Sequence, residues 1–433
     1  MERGIYRPRQ PQTTPLYLLL ESLYDKVKGV WDDRFARVYG FWRGFTDAAV
    51  ARYLDCGIPE SGFARVRCER CAAEFLLTFS CKGRGLCPSC GAKRAAAFAA
   101  FLKDEVLEEV GHAQWVFTIP KMLRPYFLHH RDLLGELCRA AYDTVRELMV
   151  AAVDNKDFRP GMVAVIQTFG DSLKWNPHIH ALCSRGGWNA AGEWFPLPYI
   201  DARAAEHLFR HKVFRLLQKQ GLLSDERMAL LSSWRHSGFS VDNSVTLYPR
   251  DAVGLERLGR YILRSPVSLE RMDYSLDTEQ VVYHSKPGHD REAPERIEPM
   301  EFIARLLTHI PDPHRHEIRY YGYYSSVARA EPQTADPSPD STETCSAFPT
   351  LEESAVAAAR IAALRRRWAD LIRRVYEIDP LVCARCGGPM RVVSFITQPS
   401  VIRRILDHLR RQEAETRGPP RPQSTPVPYP CRA

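Results

Sequence analysis

Two histidines lie two residues apart in the segment 175–182, WNPHIHAL. Alternate residues of a β-strand share a face, so His178 and His180 are predicted to project together while Ile179 enters the core. Two neutral imidazoles on one face can bind a divalent cation in a site that keeps positions open for phosphate oxygens and water. A His-x-His pattern is common, but here a strand-like apolar segment, MVAVIQTFG, precedes it. The spacing predicts a catalytic metal centre.

Cleavage of a phosphodiester bond at such a metal centre also needs a nucleophile. Tyr261 lies in ERLGRYILRSP, a helical run that ends near Pro266 and carries Arg257, Arg260 and Arg264. A phenol, with a pKa of about 10, is a weak nucleophile near pH 7. A polarised phosphate and nearby guanidinium groups would favour attack by the phenolate. Tyr261 is therefore the predicted nucleophile, and the alternative is a tyrosine that packs its helix against a sheet.

A second tyrosine cluster competes for this role. Tyr320 and Tyr324 lie four residues apart in RYYGYY, the spacing that places two phenols on one face of a helix. The central glycine and the neighbouring β-formers favour a strand or loop instead, so this cluster ranks below Tyr261.

Cysteine pairs give the second chemical pattern. Cys68-x-x-Cys71 and Cys87-x-x-Cys90, separated by fifteen residues, have the spacing of a zinc ribbon whose four thiolates form one tetrahedral site. Cys56 and Cys81 leave two alternatives open: either could replace one of the four ligands, or both could help to bind a second ion.

A third pair, Cys383-x-x-Cys386, has no evident partner pair. It could bind zinc with His408, pair across a dimer, or pack as small apolar residues.

Several basic residues accompany these motifs. Arg84 lies in the ribbon, Lys93 and Arg94 begin the helix that follows, and Arg260 and Arg264 flank the tyrosine. We predict that these five contact DNA phosphates, although a solvated charged face would have the same composition.

Composition and charge bound the class of protein. The 433 residues carry a net charge of +8, which suits a polyanionic partner without specifying one. No run of eighteen apolar residues occurs and the N-terminus has no secretory pattern, so we expect a cytoplasmic protein without a membrane span, associated with the bacterial nucleoid. Paired cysteines in a reducing compartment indicate metal ligands and not disulfides.

The patterning predicts an α+β protein with several parts. We expect a helical and zinc-ribbon DNA-binding domain over 15–100, an α+β domain over 112–328 and a Pro/Ser/Thr-rich linker over 331–350. A basic region follows over 351–411, where 12 basic residues accompany 6 acidic ones, and then a disordered tail over 412–433.

Long ordered blocks of the chain resemble the insertion-sequence transposases called IS-ninety-one and their common-region relatives. FSCKGRGLCPSCGAKR, QWVFTIPKMLRPYF, IQTFGDSLKWNPHIHAL, YILRSP and DPLVCARCGGPM follow the order typical of that family. The resemblance implies an HUH-type nuclease domain, an antiparallel sheet flanked by helices, that transfers strands by a rolling-circle-like route. It also implies metal binding by His178 and His180, with Mg²⁺ or Mn²⁺ as the ion and Tyr261 as nucleophile on single-stranded DNA ends.

HUH sites usually have a third metal ligand. We predict Gln167, with Asp171 and Glu256 as alternatives. Members with two tyrosines have one four residues before the later one, and this chain has Arg257 there. A single nucleophile would then need a homodimer or reuse after release. A replication initiator or relaxase with the same chemistry, and an inactive zinc-dependent DNA-binding protein, are the competing functions.

Overall fold

The structure is a computed structural model that describes residues 10–197, 199–275, 279–285, 293–330, 382–383 and 385–417. The chain divides into two compact units. We call Gln12–Leu54 with Cys81–Asp379 the large unit, and Met1–Pro11, Asp55–Ser80 and Pro380–Ala433 the small unit. The predicted linker 331–350 and the first part of the predicted basic region, 351–381, lie outside the described residues.

The described residues form helices and strands throughout both units. The helices are α1 Pro15–Gly29, α2 Trp31–Arg34, α3 Ala36–Tyr39, α4 Phe45–Leu54, α5 Pro88–Phe101, α6 Arg124–His129, α7 Leu133–Val153, α8 Ala202–Lys219, α9 Asp225–Ser233, α10 Ala252–Ile262, α11 Pro299–Thr308, α12 Ser326–Ala330 and α13 Pro399–Arg417. The strands are β1 Phe63–Cys68, β2 Glu74–Thr78, β3 His112–Thr118, β4 Gly161–Phe169, β5 Trp175–Ser184, β6 Gly186–Trp188, β7 Trp194–Pro196, β8 Ser240–Asp242, β9 Thr246–Leu247, β10 Met272–Ser275, β11 Gln280–Tyr283, β12 Glu295–Ile297, β13 Ile318–Gly322 and β14 Met390–Ile396.

The main sheet of the large unit is antiparallel. Its strand order is β13–β4–β5–β3–β8, and β9 also pairs with β3. The central strands β4 and β5 are apolar along most of their length, because helices cover both of their faces. This mixture of antiparallel strands and helices confirms the predicted α+β class.

The two faces of this sheet pack against different helices. Ile179 and Phe117 belong to a core that includes buried side chains of α7 and α8. Val165 and Leu182 belong to a second core with α5 and α10, to which Leu258 of α10 contributes. Because side chains alternate along a strand, His178 and His180 share the face of Leu182. For the same reason, Gln167 shares the face of Val165. These three side chains, the two histidines and the glutamine, therefore lie on the face that packs against α5 and α10.

The N-terminal helices are part of the large unit. Arg43, in the turn before α4, forms an ion pair of 3.0 Å with Asp312, and its guanidinium donates to the carbonyl of Ile310 at 2.9 Å. Tyr39 donates a short hydrogen bond to Glu301 of α11. The division into units differs from the predicted domain over 15–100, since α1 to α4 and α5 lie in the large unit while 55–80 lies in the small one.

The small unit joins two distant parts of the chain. β14 pairs with β1, and β1 with β2, in an antiparallel sheet of order β14–β1–β2. Ile402 and Leu406 of α13 are buried with Phe63 of β1. α13 extends to Arg417, so the tail predicted to be disordered from 412 begins as helix; residues 418–433 lie outside the described residues.

None of the described helices combines the length and apolarity that crossing a membrane would require.

We predict that Ile179→Ala lowers the free energy of unfolding by about 2–5 kcal/mol, because it opens a cavity at a fully buried position. Chemical denaturation followed by circular dichroism measures this. Val253→Ala is the matched control, since Val253 on α10 is 81% exposed and its truncation should change stability by less than about 0.5 kcal/mol. Equal stabilities of the two variants would contradict the assigned faces of β5.

Candidate functional site

The two histidines of β5 converge on one point. His178 and His180 are both buried, and their Nε2 atoms lie 3.2 Å apart. His178 Nδ1 lies 2.7 Å from the carbonyl oxygen of Asn176, to which it donates when protonated. A proton held on Nδ1 leaves the Nε2 lone pair available, which is the tautomer that a metal ligand needs.

Gln114 of β3 holds the second imidazole. Its side-chain amide lies 3.0 Å from His180 Nδ1. Because the two ends of an amide have nearly the same shape, Gln114 can present its oxygen to an Nδ1–H and so leave Nε2 of His180 as the ligand atom. Sequence reasoning missed Gln114. An amide at the start of the otherwise apolar strand QWVFTIP was the available signal.

Gln167 of β4 connects the histidine strand to the tyrosine helix. It lies directly opposite His178 in the antiparallel pairing of β4 and β5, so both side chains share one face. Gln167 Nε2 donates to the carbonyls of Ile262 at 2.6 Å and Tyr261 at 3.4 Å, at the end of α10. Its buried Oε1 accepts no hydrogen bond from any residue that the structure describes.

Tyr261 lies near the C-terminal end of α10, beside the imidazoles. Its ring centroid is 5.5 Å from that of His180, with the planes nearly perpendicular at 82°. The side chain is 43% exposed, so a polymeric substrate can reach the phenol. α10 begins at an N-cap in which Asp251 accepts from the backbone N–H of Gly254 at 2.9 Å.

Arg264 packs on the same tyrosine. Its guanidinium carbon lies 4.7 Å from the Tyr261 ring centroid and 5.4 Å from that of Phe169. Such cation–π contacts hold the positive charge against the phenol. The Arg264 Nε atom is buried without a hydrogen-bond partner among the described residues, whereas Arg260 pairs with Glu256 at 2.7 Å.

The structure brings the predicted DNA-contacting residues together in two groups. Arg260 and Arg264 flank Tyr261 on and after α10. Arg84 and Arg94 meet at Glu317, at 3.9 Å and 2.6 Å respectively, and Lys93 lies beside Arg94 on α5. The carboxylate of Glu317 offsets part of the charge of the second group.

The donors around the histidine pair fit a divalent ion. Two Nε2 atoms 3.2 Å apart can both lie about 2.1 Å from one ion, a usual metal–imidazole distance. Oε1 of Gln167, which has no hydrogen-bond partner in the part of the chain that the structure describes, is a neutral oxygen donor of the kind that Mg²⁺ and Mn²⁺ accept.

The alternative third ligands are placed less well. Among the described residues, no group of three histidine, cysteine or carboxylate ligand atoms within 4.8 Å includes the histidine pair. Asp171 therefore does not complete the site, and Glu256 is engaged by Arg260.

The rival tyrosines lie on or just after a strand. Tyr320 is part of β13, and its ring packs edge-on against Phe101 at 6.4 Å. Tyr324 is 1% exposed and shares a 2.7 Å hydrogen bond with His112. Burial raises the pKa of Tyr324 well above its usual value, which disfavours the phenolate.

The cysteines form groups that differ from the predicted ribbon. Cys68 and Cys71 lie with Cys383 and Cys386 in the small unit, and the four Sγ atoms are all within 4.8 Å of one another. The prediction that Cys68, Cys71, Cys87 and Cys90 form one site is therefore wrong, and Cys383-x-x-Cys386 has Cys68-x-x-Cys71 as the partner pair that the sequence did not reveal.

In the large unit, Cys87 and Cys90 instead lie with Cys81, whose Sγ is 3.5 Å from that of Cys90. Cys81 thus joins the second pair, one of the alternatives that the sequence left open.

In the small unit, the backbone N–H groups of Cys71 and Arg70 lower the pKa of the Cys68 thiol to about 6. Thiolate sulfur is the form that binds zinc.

A buried histidine supports the strands that carry the site. His309, after α11, bonds Thr168 of β4 at 3.0 Å and the carbonyl of Leu173 at 2.8 Å, and its ring stacks on Trp175 of β5. Its burial lowers its pKa to about 3. The sequence offered no motif for this residue.

Comparisons with known proteins identify two parts of the chain. Residues 161–331 match the family model described as putative transposase, and residues 29–119 match the one described as transposase zinc-binding domain. Together these matches cover more than half of the chain.

Two curated relatives span most of it. The transposase for insertion sequence element IS801 of Pseudomonas savastanoi pv. phaseolicola is 24% identical over 79% of this chain and 82% of its own. The putative transposase y4qJ of Sinorhizobium fredii (strain NBRC 101917 / NGR234) is 28% identical over 61% of this chain and 70% of its own. No solved structure matches significantly.

We predict that stability falls as the pH is lowered from about 6.5 towards 3, in part through His309. The unfolded chain protonates this imidazole near pH 6.5, whereas the folded protein resists protonation down to about pH 3, so acid favours the unfolded state. Urea denaturation at several pH values measures the slope. His309→Gln should give a shallower slope over this window, and a slope equal to that of the wild type would contradict the assignment.

Proposed function

Since the chain belongs to the transposases that carry a zinc-binding domain of the IS-ninety-one type, we propose that it nicks and rejoins single-stranded DNA at the ends of a mobile element. In this proposal Tyr261 is the nucleophile, and His178, His180 and Gln167 hold a divalent metal ion. The observation that carries it is the contact between the Tyr261 ring and His180, which places an exposed phenol beside two converging imidazoles.

A side chain of the main sheet is hydrogen-bonded to the end of α10 and so supports the contact between Tyr261 and His180. The Nε2 group of Gln167 holds the carbonyls of Tyr261 and Ile262, and the same amide leaves Oε1 for the ion. The nucleophile and the ligands are thus tied through one side chain. Holding reacting groups at a fixed separation removes much of the entropic cost of reaction.

The chemistry is an in-line displacement at phosphorus. The Tyr261 oxygen bonds to phosphorus while the bond from phosphorus to the 3′ oxygen of the preceding nucleotide breaks. The phenol loses its proton to solvent, and the leaving 3′ oxygen takes up a proton from solvent, so that no proton is consumed overall. The products are a 5′-phosphotyrosine and a free 3′-hydroxyl. A bound Mg²⁺ or Mn²⁺ would polarise the phosphate oxygens and offset the developing negative charge. Arg264, packed on the phenol, stabilises the phenolate and the phosphate by its charge.

A groove beside the tyrosine helix could hold the DNA strand. It has a volume of about 1030 Å³, and Arg260, Arg264 and Arg271 contribute charge while Phe169 and Tyr283 contribute aromatic surface. Guanidinium groups bind phosphates, and aromatic rings stack on unpaired bases, so the lining suits single-stranded DNA.

A single tyrosine must serve two strand transfers. Arg257, one turn before Tyr261 on α10, is exposed where two-tyrosine members have their second phenol. We propose that two copies of the chain act together, or that Tyr261 is used again after release of the first strand.

Two other functions fit part of the structure. A replication initiator or relaxase would use the same site, and DNA flanking the gene, with defined ends and no inverted repeats, would distinguish a transposase. An inactive zinc-dependent DNA-binding protein would bind DNA but form no covalent product.

We predict that Tyr261→Phe abolishes a covalent protein–DNA adduct that the wild-type protein forms with oligonucleotides tiling the element's ends in Mg²⁺ or Mn²⁺. The phenylalanine keeps the ring packing on Arg264 and removes only the attacking oxygen. A denaturing gel measures the adduct. Tyr320→Phe is the matched control and should retain it.

An adduct that survives Tyr261→Phe would contradict the assigned nucleophile. Absence of any adduct from wild-type protein that binds the oligonucleotides tightly would favour the inactive DNA-binding protein.

We predict that Gln114→Leu raises the Mn²⁺ concentration needed for half-maximal adduct formation by about 10–100-fold, because His180 loses the partner that sets its tautomer. Titration of Mn²⁺ at fixed DNA concentration measures this. Gln220→Leu, at the exposed end of α8, is the control and should leave the titration unchanged. A Gln114→Leu titration that matches the wild type would show that this amide does not position the ligand.

A further inference from the structure

The small unit contains a cluster of four sulfur atoms built from both ends of the chain. Cys68 Sγ lies 3.5 Å from Cys386 Sγ, and Cys71 Sγ lies 3.6 Å from Cys383 Sγ. In a tetrahedral zinc site with Zn–S distances of about 2.3 Å, neighbouring sulfurs lie about 3.8 Å apart. The observed separations are close to that value and far above the length of a disulfide bond, about 2.05 Å.

Backbone N–H groups make hydrogen bonds within both turns that carry these cysteines. The N–H groups of Arg70 and Cys71 point at Cys68 Sγ at 3.4 Å and 3.5 Å, as expected around a thiolate. In the second turn, the N–H of Cys383 donates to the carbonyl of Gly388 at 2.8 Å. These hydrogen bonds constrain each turn, and the two sulfurs of each turn lie within 4.8 Å of those of the other.

Gly388 shows that the two turns are fitted to each other. A Cβ atom at this position would lie 2.9 Å from Arg70 Cβ, 3.2 Å from Cys386 Sγ and 3.3 Å from Cys68 Sγ. The close approach of the second turn to the first therefore requires glycine here. The contact with Arg70 Cβ does not involve a sulfur atom and has the same meaning: the C-terminal turn packs closely on Cys68-x-x-Cys71.

Next to the cluster, the two parts of the chain that carry the cysteines pair as antiparallel β-strands, β1 and β14. Cys68 pairs with Met390, and the β1–β14 ladder continues from there to Phe63 and Ile396. Few apolar side chains are buried beside this β-ladder: the two hydrophobic clusters, around Cys68 and around Phe63, are both small. A small core supplies little folding free energy, so a domain of this kind depends on its metal.

We propose that Cys68, Cys71, Cys383 and Cys386 bind one Zn²⁺ that fastens the C-terminal segment, 382–383 and 385–417, to β1. Cys71 and Cys383 are 312 residues apart in the chain, so the zinc domain is discontinuous and the metal closes it. The C-terminal pair lies outside residues 29–119, the part matched as a zinc-binding domain. Loss of this ion would release β14 and α13 from β1 while the large unit keeps its fold.

Zinc analysis of the full-length protein tests the shared site. Plasma mass spectrometry should show that Cys383→Ser/Cys386→Ser loses one zinc per chain, that Cys68→Ser/Cys71→Ser loses one, and that the quadruple variant still loses only one. Cys138→Ala, a buried cysteine of α7 outside both clusters, is the control and should lose none. Unchanged zinc in Cys383→Ser/Cys386→Ser, or loss of two ions in the quadruple variant, would overturn the proposal.

Amide hydrogen exchange tests the fastening. In Cys68→Ser/Cys71→Ser, β14 should lose its protection although no residue of β14 is changed, while β4 in the large unit stays protected. Protection of β4 shows that the variant is folded. Continued protection of β14 in protein that has lost this zinc would show that the ion does not hold the C-terminal segment.

Discussion

The register between β4 and β5 is the constraint on which the candidate active site depends. It places Gln167 opposite His178, and the alternation of side chains then puts His180 on the same face. A shift of one residue would turn both imidazoles towards α7 and α8 and bring Ile179 to the tyrosine helix. The register is strongly specified because both faces are buried, with separate apolar cores on each side.

The two buried imidazoles of the site are held by partners that fix their geometry. Gln114 and the Asn176 carbonyl hold the imidazoles, and His309 ties β4 to the start of β5 through Thr168 and Trp175. Burial makes an unpaired polar atom costly, and Gln167 Oε1 is buried without a hydrogen-bond partner among the described residues, which is why we propose it as a metal ligand. In the proposed function, the buried part of the site carries the metal ligands and the exposed tyrosine meets the substrate.

Local patterns were sufficient to predict the elements that carry this chemistry. The His-x-His alternation indicated a strand with Ile179 inward, and the structure has this arrangement. The helix around Tyr261 followed from its periodicity and from Pro266. Gln114 and His309 were missed because each acts through contacts between strands or helices distant in sequence, which no local spacing reveals.

The cysteine pairs also show that local spacing does not reveal contacts between distant parts of the chain. A Cys-x-x-Cys spacing specifies a turn with two sulfurs, but it does not say which second turn completes the site. The shortest gap favoured joining Cys68-x-x-Cys71 to Cys87-x-x-Cys90, whereas the fold pairs the first of these with Cys383-x-x-Cys386. The pairing of β14 with β1 decides this, and the domain boundary moves with it.

The identity of the residue that becomes linked to DNA tests the central claim most directly. Trypsin cleaves after Arg260 and Arg264, so the wild-type adduct, treated with nuclease and trypsin, yields the short peptide Tyr-Ile-Leu-Arg with Tyr261 at its first position. Mass spectrometry of that digest should find the phosphonucleotide on Tyr261. A nucleotide found on the peptide that contains Tyr320 to Tyr324, or on any other side chain, would contradict the account.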